Sequence, residues 1–107
     1  MRPNNPETVL PGEDFVAQGL ADLSQNHVTD YSLLLLIAAP RLRRLRIEIP
    51  HRVSSQPFEH QLYARLEERM GTAAHSYYNS LIRRIVSYAR ALEREQSRKQ
   101  SDTNPEK

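Results

Sequence analysis

The stretch that decides the fold is Tyr31-Ser32-Leu33-Leu34-Leu35-Leu36-Ile37-Ala38-Ala39, the most hydrophobic part of this 107-residue chain. Its four consecutive leucines leave no polar face, which indicates that other elements surround it. A short apolar run can also be a buried strand, but leucine and alanine favour a helix. The only other strand-like run is the short Ile47-Glu48-Ile49. We therefore predict an all-α fold with a buried central helix that Thr29 caps.

Helical patterns on both sides of this segment predict a four- to five-helix bundle with a long C-terminal helix. A first helix is expected to begin at Pro11-Gly12-Glu13-Asp14 and to end within Ser24–His27. Gly19 lies in its middle, which indicates that another helix crosses closely there. Pro40 breaks the central helix and can restart a short one. A third helix is expected between Pro57 and Gly71.

The strongest pattern is a heptad repeat in the last helix, which we expect to be capped by Thr72 and to end near Ser97. The heptad seam consists of Ala74, Tyr78, Leu81, Ile85, Tyr88 and Leu92. A helix of that length spans about 39 Å, whereas a compact chain of this size has a diameter of roughly 26 Å. The seam is therefore expected to overhang the domain and to form the interface of a homodimer or of a complex with a partner helix.

Composition excludes several classes of function. The chain has no cysteine, so thiolate nucleophiles, cysteine zinc sites and iron–sulfur clusters are ruled out. Three isolated glycines leave no P-loop and no dinucleotide-binding motif. Without a signal-peptide core or a membrane-spanning run, the chain is expected to be cytoplasmic. Residues 1–10 and 98–107 are polar, so we predict disordered tails around a single helical domain at residues 11–97.

Charge is unevenly distributed although the net charge is only +2. Residues 1–39 carry one arginine and five acids, whereas residues 40–107 carry fourteen Lys or Arg and eight acids. The favoured interpretation is that the two halves attract each other within one fold. The alternative is a polyanion-binding surface for nucleic acid. Its candidate residues are Arg41, Arg43, Arg44, Arg46, Arg83 and Arg84.

Catalytic and metal-binding patterns are weaker. His75, Asn79 and Arg83 share one face of the last helix and could support acid–base chemistry, or they could be a row of surface hydrogen bonds. The spacing of Arg69 and His75 resembles the R-x4–6-H signature of HEPN ribonucleases, which are all-α and act on RNA as dimers. However, Met70 replaces a usually polar position, and Gly71 breaks the helix. No histidine belongs to an HExxH motif, and we expect no metal or cofactor.

We therefore expect a non-catalytic helical module that forms a homodimer or binds a partner helix through the heptad seam. A nucleic-acid-associated protein and a small enzyme centred on His75 are the two alternatives.

Overall fold

The computed structural model describes the backbone of residues 10–102 and the side chains of residues 10–98. Within this range the chain is all-α and contains no strand, which confirms the predicted fold class. The described part measures 54 × 31 × 23 Å. Its helices are α1 (Glu13–Ser24), α2 (Asp30–Ile37), α3 (Ala39–Arg44), α4 (Phe58–Met70) and α5 (Ala74–Asp102). The predicted tail at residues 1–10 lies outside the described residues except for Leu10, as do residues 103–107.

Helix α2 is the centre of the bundle. Leu33, Leu34 and Leu35 are at most 2% exposed, because α1 and α4 pack on two sides of α2 and α5 contacts it as well. Thr29 caps this helix as predicted. Its side-chain oxygen accepts a hydrogen bond from the Ser32 amide at 3.1 Å, and the Ser32 hydroxyl accepts one from the Thr29 amide at 2.8 Å. This reciprocal capping box fixes where the apolar helix begins.

Gly19 allows α1 to cross α2 closely, as predicted. A Cβ atom at this position would lie 2.8 Å from Leu35 Cδ1 and 3.0 Å from the Tyr31 carbonyl oxygen. The buried Asp22 carboxylate, which the sequence analysis missed, holds the same pair of helices together. It accepts a hydrogen bond from the Thr29 hydroxyl at 2.7 Å, so the end of α1 is joined to the cap of α2.

Helix α5 begins later and ends later than predicted. Gly71 has φ 59° and ψ −127°, and a 3-10 turn, Gly71–Ala73, follows, so Thr72 lies inside this turn and is not a helix cap. At the other end α5 continues five residues past Ser97. Strong helix formers and an ion pair from Arg98 to Glu95 at 2.6 Å support the added turn. Residues 98–102, which the sequence analysis placed in the C-terminal tail, therefore continue α5.

Opposite charges join the N-terminal and C-terminal halves at one point that the structure describes. Asp30, in the first turn of α2, contacts Arg65 at 3.3 Å and Arg69 at 2.7 Å, both on α4. Burial raises the pKa of Asp30, but the hydrogen bonds and charges of the two arginines outweigh it, so the pKa lies below the usual value of 3.8. Within residues 10–98 no helix is both long enough and apolar enough to cross a membrane.

Replacing Gly19 by alanine is expected to destabilise the fold by about 1–2 kcal/mol, because the new methyl group would collide with Leu35 and with backbone of α2. Helix propensity alone would predict a gain of about 1 kcal/mol. The measurement is urea unfolding followed by circular dichroism. Ala21, an exposed residue of the same helix, provides the control. Ala21→Gly should lower the free energy of unfolding by about 1 kcal/mol, because glycine has a lower helix propensity than alanine. A more stable Gly19→Ala protein would contradict the close crossing.

Replacing Asp30 by asparagine is expected to destabilise the protein at pH 7, because two arginines lose their carboxylate partner. The lowered pKa of Asp30 means that its stabilisation is fully present above pH 3.8 and is lost as the pH falls through the folded-state pKa. The gap in free energy of unfolding between wild type and Asp30→Asn should therefore shrink below pH 3.8. Urea unfolding at a series of pH values measures it. A gap that is independent of pH would argue against the ion pair.

Candidate functional site

The heptad seam of α5 packs against the interior of its own chain. Ala74, Leu81, Ile85 and Tyr88 are at most 5% exposed and belong to the hydrophobic core. The remaining members, Tyr78 and Leu92, are partly buried beside that core. Burial also raises the pKa of the Tyr78 and Tyr88 hydroxyls. The negative charge of Glu13 raises the pKa of Tyr88 further. A second copy therefore cannot reach the centre of the seam without displacing α2 or α4.

The expected overhang of an uncovered apolar seam is also corrected. On one side of α5 the Gln96 side chain donates a hydrogen bond to the Leu45 carbonyl at 2.7 Å, and Glu93 contacts Arg41 at 3.6 Å. These contacts bring the end of α3 against the C-terminal half of α5. Beyond Leu92, the helix carries no apolar residue up to its end at Asp102. The long helix thus leaves no apolar seam uncovered at its C-terminal end.

The structure divides the predicted polyanion-binding arginines into two groups. In the first group, Arg43 is held by the fold, because its guanidinium donates hydrogen bonds to the Ile49 carbonyl at 2.9 and 3.1 Å. Arg41 is half-buried and pairs with Glu93. The side chains of Arg44 and Arg46 are exposed. Only these last two members of the α3 group extend freely into solvent within the described region.

Arg83 and Arg84 belong to a different surface, on the polar side of α5. Arg84 lies over the ring of Phe15, with 4.9 Å between its guanidinium carbon and the ring centroid. Arg83 is exposed. Both line a cleft with Ser80 and Ser87, whereas Arg43 and Arg46 line a separate cleft beside α3. The structure therefore does not bring the six predicted arginines together.

Three further arginines, which the sequence analysis missed, extend this surface of α5. We call the whole set the arginine face: Arg83, Arg84, Arg90, Arg94 and Arg98, all exposed. Arg98 pairs with Glu95 and Arg84 covers Phe15, whereas Arg83, Arg90 and Arg94 form no ion pair within the described side chains. The sequence signal was present, because Arg83, Arg90 and Arg94 follow i, i+7, i+11 spacing opposite the heptad seam.

The segment from Leu10 to Gly12 forms the opposite wall of a groove along the arginine face. Leu10 and Pro11 line a cleft with Arg90, Arg94 and Arg98, to which Glu93 and Glu95 also contribute. Pro11 and Gly12 line another cleft with Arg83. Gly12 has φ 83°, and a Cβ there would lie 2.6 Å from the Phe15 ring. This wall therefore requires glycine where the chain turns into α1.

His75 is exposed and lies apart from the groove. Its Nε2 atom is 3.3 Å from the Asn79 amide nitrogen, and its ring packs 6.4 Å from that of Tyr63. Arg69 binds Asp30, so the described contacts of Arg69 and His75 do not join them to one another. Within residues 10–98, no three histidine, aspartate or glutamate side chains come together as metal ligands.

Comparison with known proteins gives no relative, since no protein-family model, curated protein or solved structure matches this chain.

Arg46 occupies a strained backbone position, since it has φ 71° at the end of α3 where glycine is usual. The Ile47 amide donates to the Leu42 carbonyl at 3.0 Å across this turn. Replacing Arg46 by glycine is expected to raise the free energy of unfolding by about 1 kcal/mol, because the left-handed conformation costs roughly that much for other residues.

Urea unfolding measures this change, and Arg44→Gly is the matched control. Arg44 is the last residue of α3, so a glycine there is expected to cost up to about 1 kcal/mol. Destabilisation by Arg46→Gly would mean that the Arg46 side chain itself stabilises the fold.

Proposed function

We propose that this chain is a non-catalytic protein that binds nucleic acid through phosphate contacts along the arginine face of α5. The observation that carries the proposal is the row of exposed arginines opposite the buried seam, three of which have no ion-pair partner within the described side chains. Arginine suits this task because its guanidinium can make two parallel hydrogen bonds to a phosphate. The fold does not use Arg83, Arg90 or Arg94 in the described ion pairs and side-chain hydrogen bonds, so they are available to a ligand.

The composition of the face favours phosphate over a protein partner. Protein interfaces have an apolar, often aromatic core within a polar rim. Ser80 lies one turn before Arg83, and Ser87 and Ser97 stand between the arginines, without an exposed large apolar side chain. The two acids of this stretch, Glu93 and Glu95, contact Arg41 and Arg98. Serine hydroxyls can donate hydrogen bonds to phosphate oxygens and are common at nucleic-acid backbones. Base-stacking aromatic residues are absent from the face, so contacts to the backbone dominate the proposed binding.

The dimensions of the face suit several phosphates at once. Arg83 and Arg90 are seven residues apart, about 10.5 Å along the helix axis, and each of the next two four-residue steps adds about 6 Å. The face therefore extends over roughly 22 Å, which is several phosphate spacings of a nucleic-acid strand. A cysteine-free composition favours a reducing, cytoplasmic location, where nucleic acid is present.

The positions of the titratable groups support a non-catalytic role. The pKa shifts that burial and charge produce belong to Asp30, Arg69, Tyr78 and Tyr88. The first two form the ion pair between α2 and α4, and the tyrosines belong to the packed seam. An active site would instead gather perturbed groups in one cleft. Binding without chemistry is the simpler function for such a surface.

Fluorescence anisotropy with a labelled oligonucleotide tests the proposal. Wild-type protein is expected to bind at micromolar concentration at low salt, with affinity that falls steeply as salt rises because counterions are released. Arg90→Glu/Arg94→Glu should weaken binding at least about tenfold, since two phosphate contacts become repulsive. Binding should also show a smaller salt slope in this variant.

The matched control is Arg44→Glu/Arg46→Glu, which makes the same change in net charge on the exposed end of α3. The two variants are compared at about 0.1 M salt, where the Debye length is about 10 Å. The affinity of the control should stay within about threefold of wild type there, because exposed charges farther than this from the ligand are largely screened. Equal losses in both variants would mean that net charge alone drives binding. No binding to single-stranded or duplex oligonucleotides at low salt would show that the proposed function is wrong.

A homodimer remains a separate proposal, although the heptad seam cannot be its contact surface while it is buried. The large apolar side chains that are most exposed in the described region are Val28 and Val53, at 60% and 101%. They are single residues in the loops before α2 and before α4. Light scattering at low and high salt measures the solution mass and decides whether two copies associate.

A further inference from the structure

The N-terminal end of the arginine face adjoins a second cleft of opposite chemistry. The first, which we call the phosphate cleft, is lined by Ser80, Arg83, Arg84 and Ser87 and has a volume of about 400 Å³. The second, the acceptor cleft, includes Asp14, Gln18, Tyr31 and Arg84 and has a volume of about 530 Å³. Gly12 and Arg84 line both clefts, so the two clefts adjoin.

The α5 side of the phosphate cleft is rich in hydrogen-bond donors and contains no carboxylate among the described residues. Arg83 and Arg84 supply charged N–H groups, and two serine hydroxyls lie one turn before and one turn after them. This set matches a phosphate group, which accepts several hydrogen bonds and carries negative charge. Pro11 and Gly12 form the opposite wall.

The acceptor cleft presents oxygen atoms that lack a donor within the described residues. The Gln18 side-chain nitrogen donates to Asp22 at 3.0 Å, which leaves its carbonyl oxygen free. Glu13 already accepts a hydrogen bond from the Leu10 amide at 3.1 Å. Asp14 is exposed and takes part in none of the described side-chain hydrogen bonds or ion pairs. Its carboxylate can accept hydrogen bonds from an amino group of a ligand.

Arg84 lies where the two clefts adjoin. Its guanidinium lies over Phe15, and Phe15 stacks on Tyr31 with ring centroids 5.5 Å apart. This stack holds Arg84 there, and none of the described ion pairs joins it to Asp14. Arg84 and Asp14 therefore line the acceptor cleft together without forming an ion pair. Such a site suits a ligand with an anion at one end and N–H donors at the other.

From this arrangement we infer that the two clefts bind one nucleotide unit, with its phosphate at Arg83 and Ser80 and an amino-bearing base at Asp14 and Gln18. The inference rests on the proposed function and adds a base preference to it. Cytosine carries an amino donor where uracil carries a carbonyl acceptor, so the two bases differ at the group that would meet Asp14. A free phosphate would occupy the phosphate cleft alone.

Titration of the ¹⁵N-labelled full chain with CMP, UMP and inorganic phosphate tests the inference by NMR. CMP should bind about fivefold more tightly than UMP, because a hydrogen bond to a charged acceptor is worth that much or more. Both nucleotides should shift the amide signals of Gly12 and Ser80. Inorganic phosphate should shift the Ser80 signal but leave the Gln18 side-chain amide unchanged.

Two variants separate the roles of the clefts. Asp14→Ala should abolish the preference for CMP without weakening UMP, because only the base contact is lost. Arg83→Gln should weaken both nucleotides to a similar extent and leave their ratio near fivefold. Glu67→Ala, an exposed acid on α4, is the control for net charge and should leave the ratio as in wild type.

Equal affinity for CMP and UMP, or a CMP preference that survives Asp14→Ala, would overturn the inference. Labelled oligonucleotides distinguish this failure from failure of the proposed function. If they still bind through Arg90 and Arg94 while the mononucleotides do not discriminate, the arginine face binds nucleic acid without a base-selective subsite. If the oligonucleotides do not bind either, both proposals are wrong.

Discussion

Burial of α2 is the constraint on which the rest of the structure depends. A helix that reads Leu33-Leu34-Leu35-Leu36 cannot turn any side to water, so the chain must supply a cover in every direction. Helices α1 and α4 provide two sides, and the heptad seam of α5 helps to close the core. The seam is therefore used within the chain. The polar side of α5, opposite the seam, is consequently the surface that this helix presents to solvent.

The arginines of this protein fall into two classes once the core is closed. Some hold the fold together: Arg43 bonds to loop carbonyls, Arg52 donates to the Leu23 carbonyl at 2.9 Å, and Arg65 joins Arg69 at Asp30. Others, on the outer side of α5, make few contacts with the protein. An arginine that bonds to two carbonyls has lost the conformational freedom and the donors that a ligand would need. The proposed phosphate contacts therefore involve arginines of the second class.

The fold could be predicted further from sequence than the site. The four leucines, the small residue Gly19 and the cap at Thr29 each act through neighbours close in the sequence or through simple burial, so their patterns were readable. The heptad seam gave the correct buried face but not its partner, because a seam packs equally well against its own chain or another copy. Arg43 could not be assigned, since its acceptors are carbonyls whose direction depends on the loop after α3. The arginine face could not be predicted from sequence without knowing which side of α5 the rest of the chain covers.

Because the arginines that hold the fold and the exposed arginines of α5 lie in different places, substitutions that affect stability can be separated from substitutions that affect the proposed binding. The groups that position the groove, Gly12 and the stack of Phe15 on Tyr31, belong to the start of α1 and to α2, whose packing the apolar core dictates. Arg83, Arg90 and Arg94 stand on a helix whose opposite side is already anchored by Leu81 and Ile85. Exposed positions of this kind usually change stability by less than about 0.5 kcal/mol when substituted. The arginine face of α5 can therefore carry charge without a loss of stability, because the heptad seam on the opposite side fixes where the helix lies.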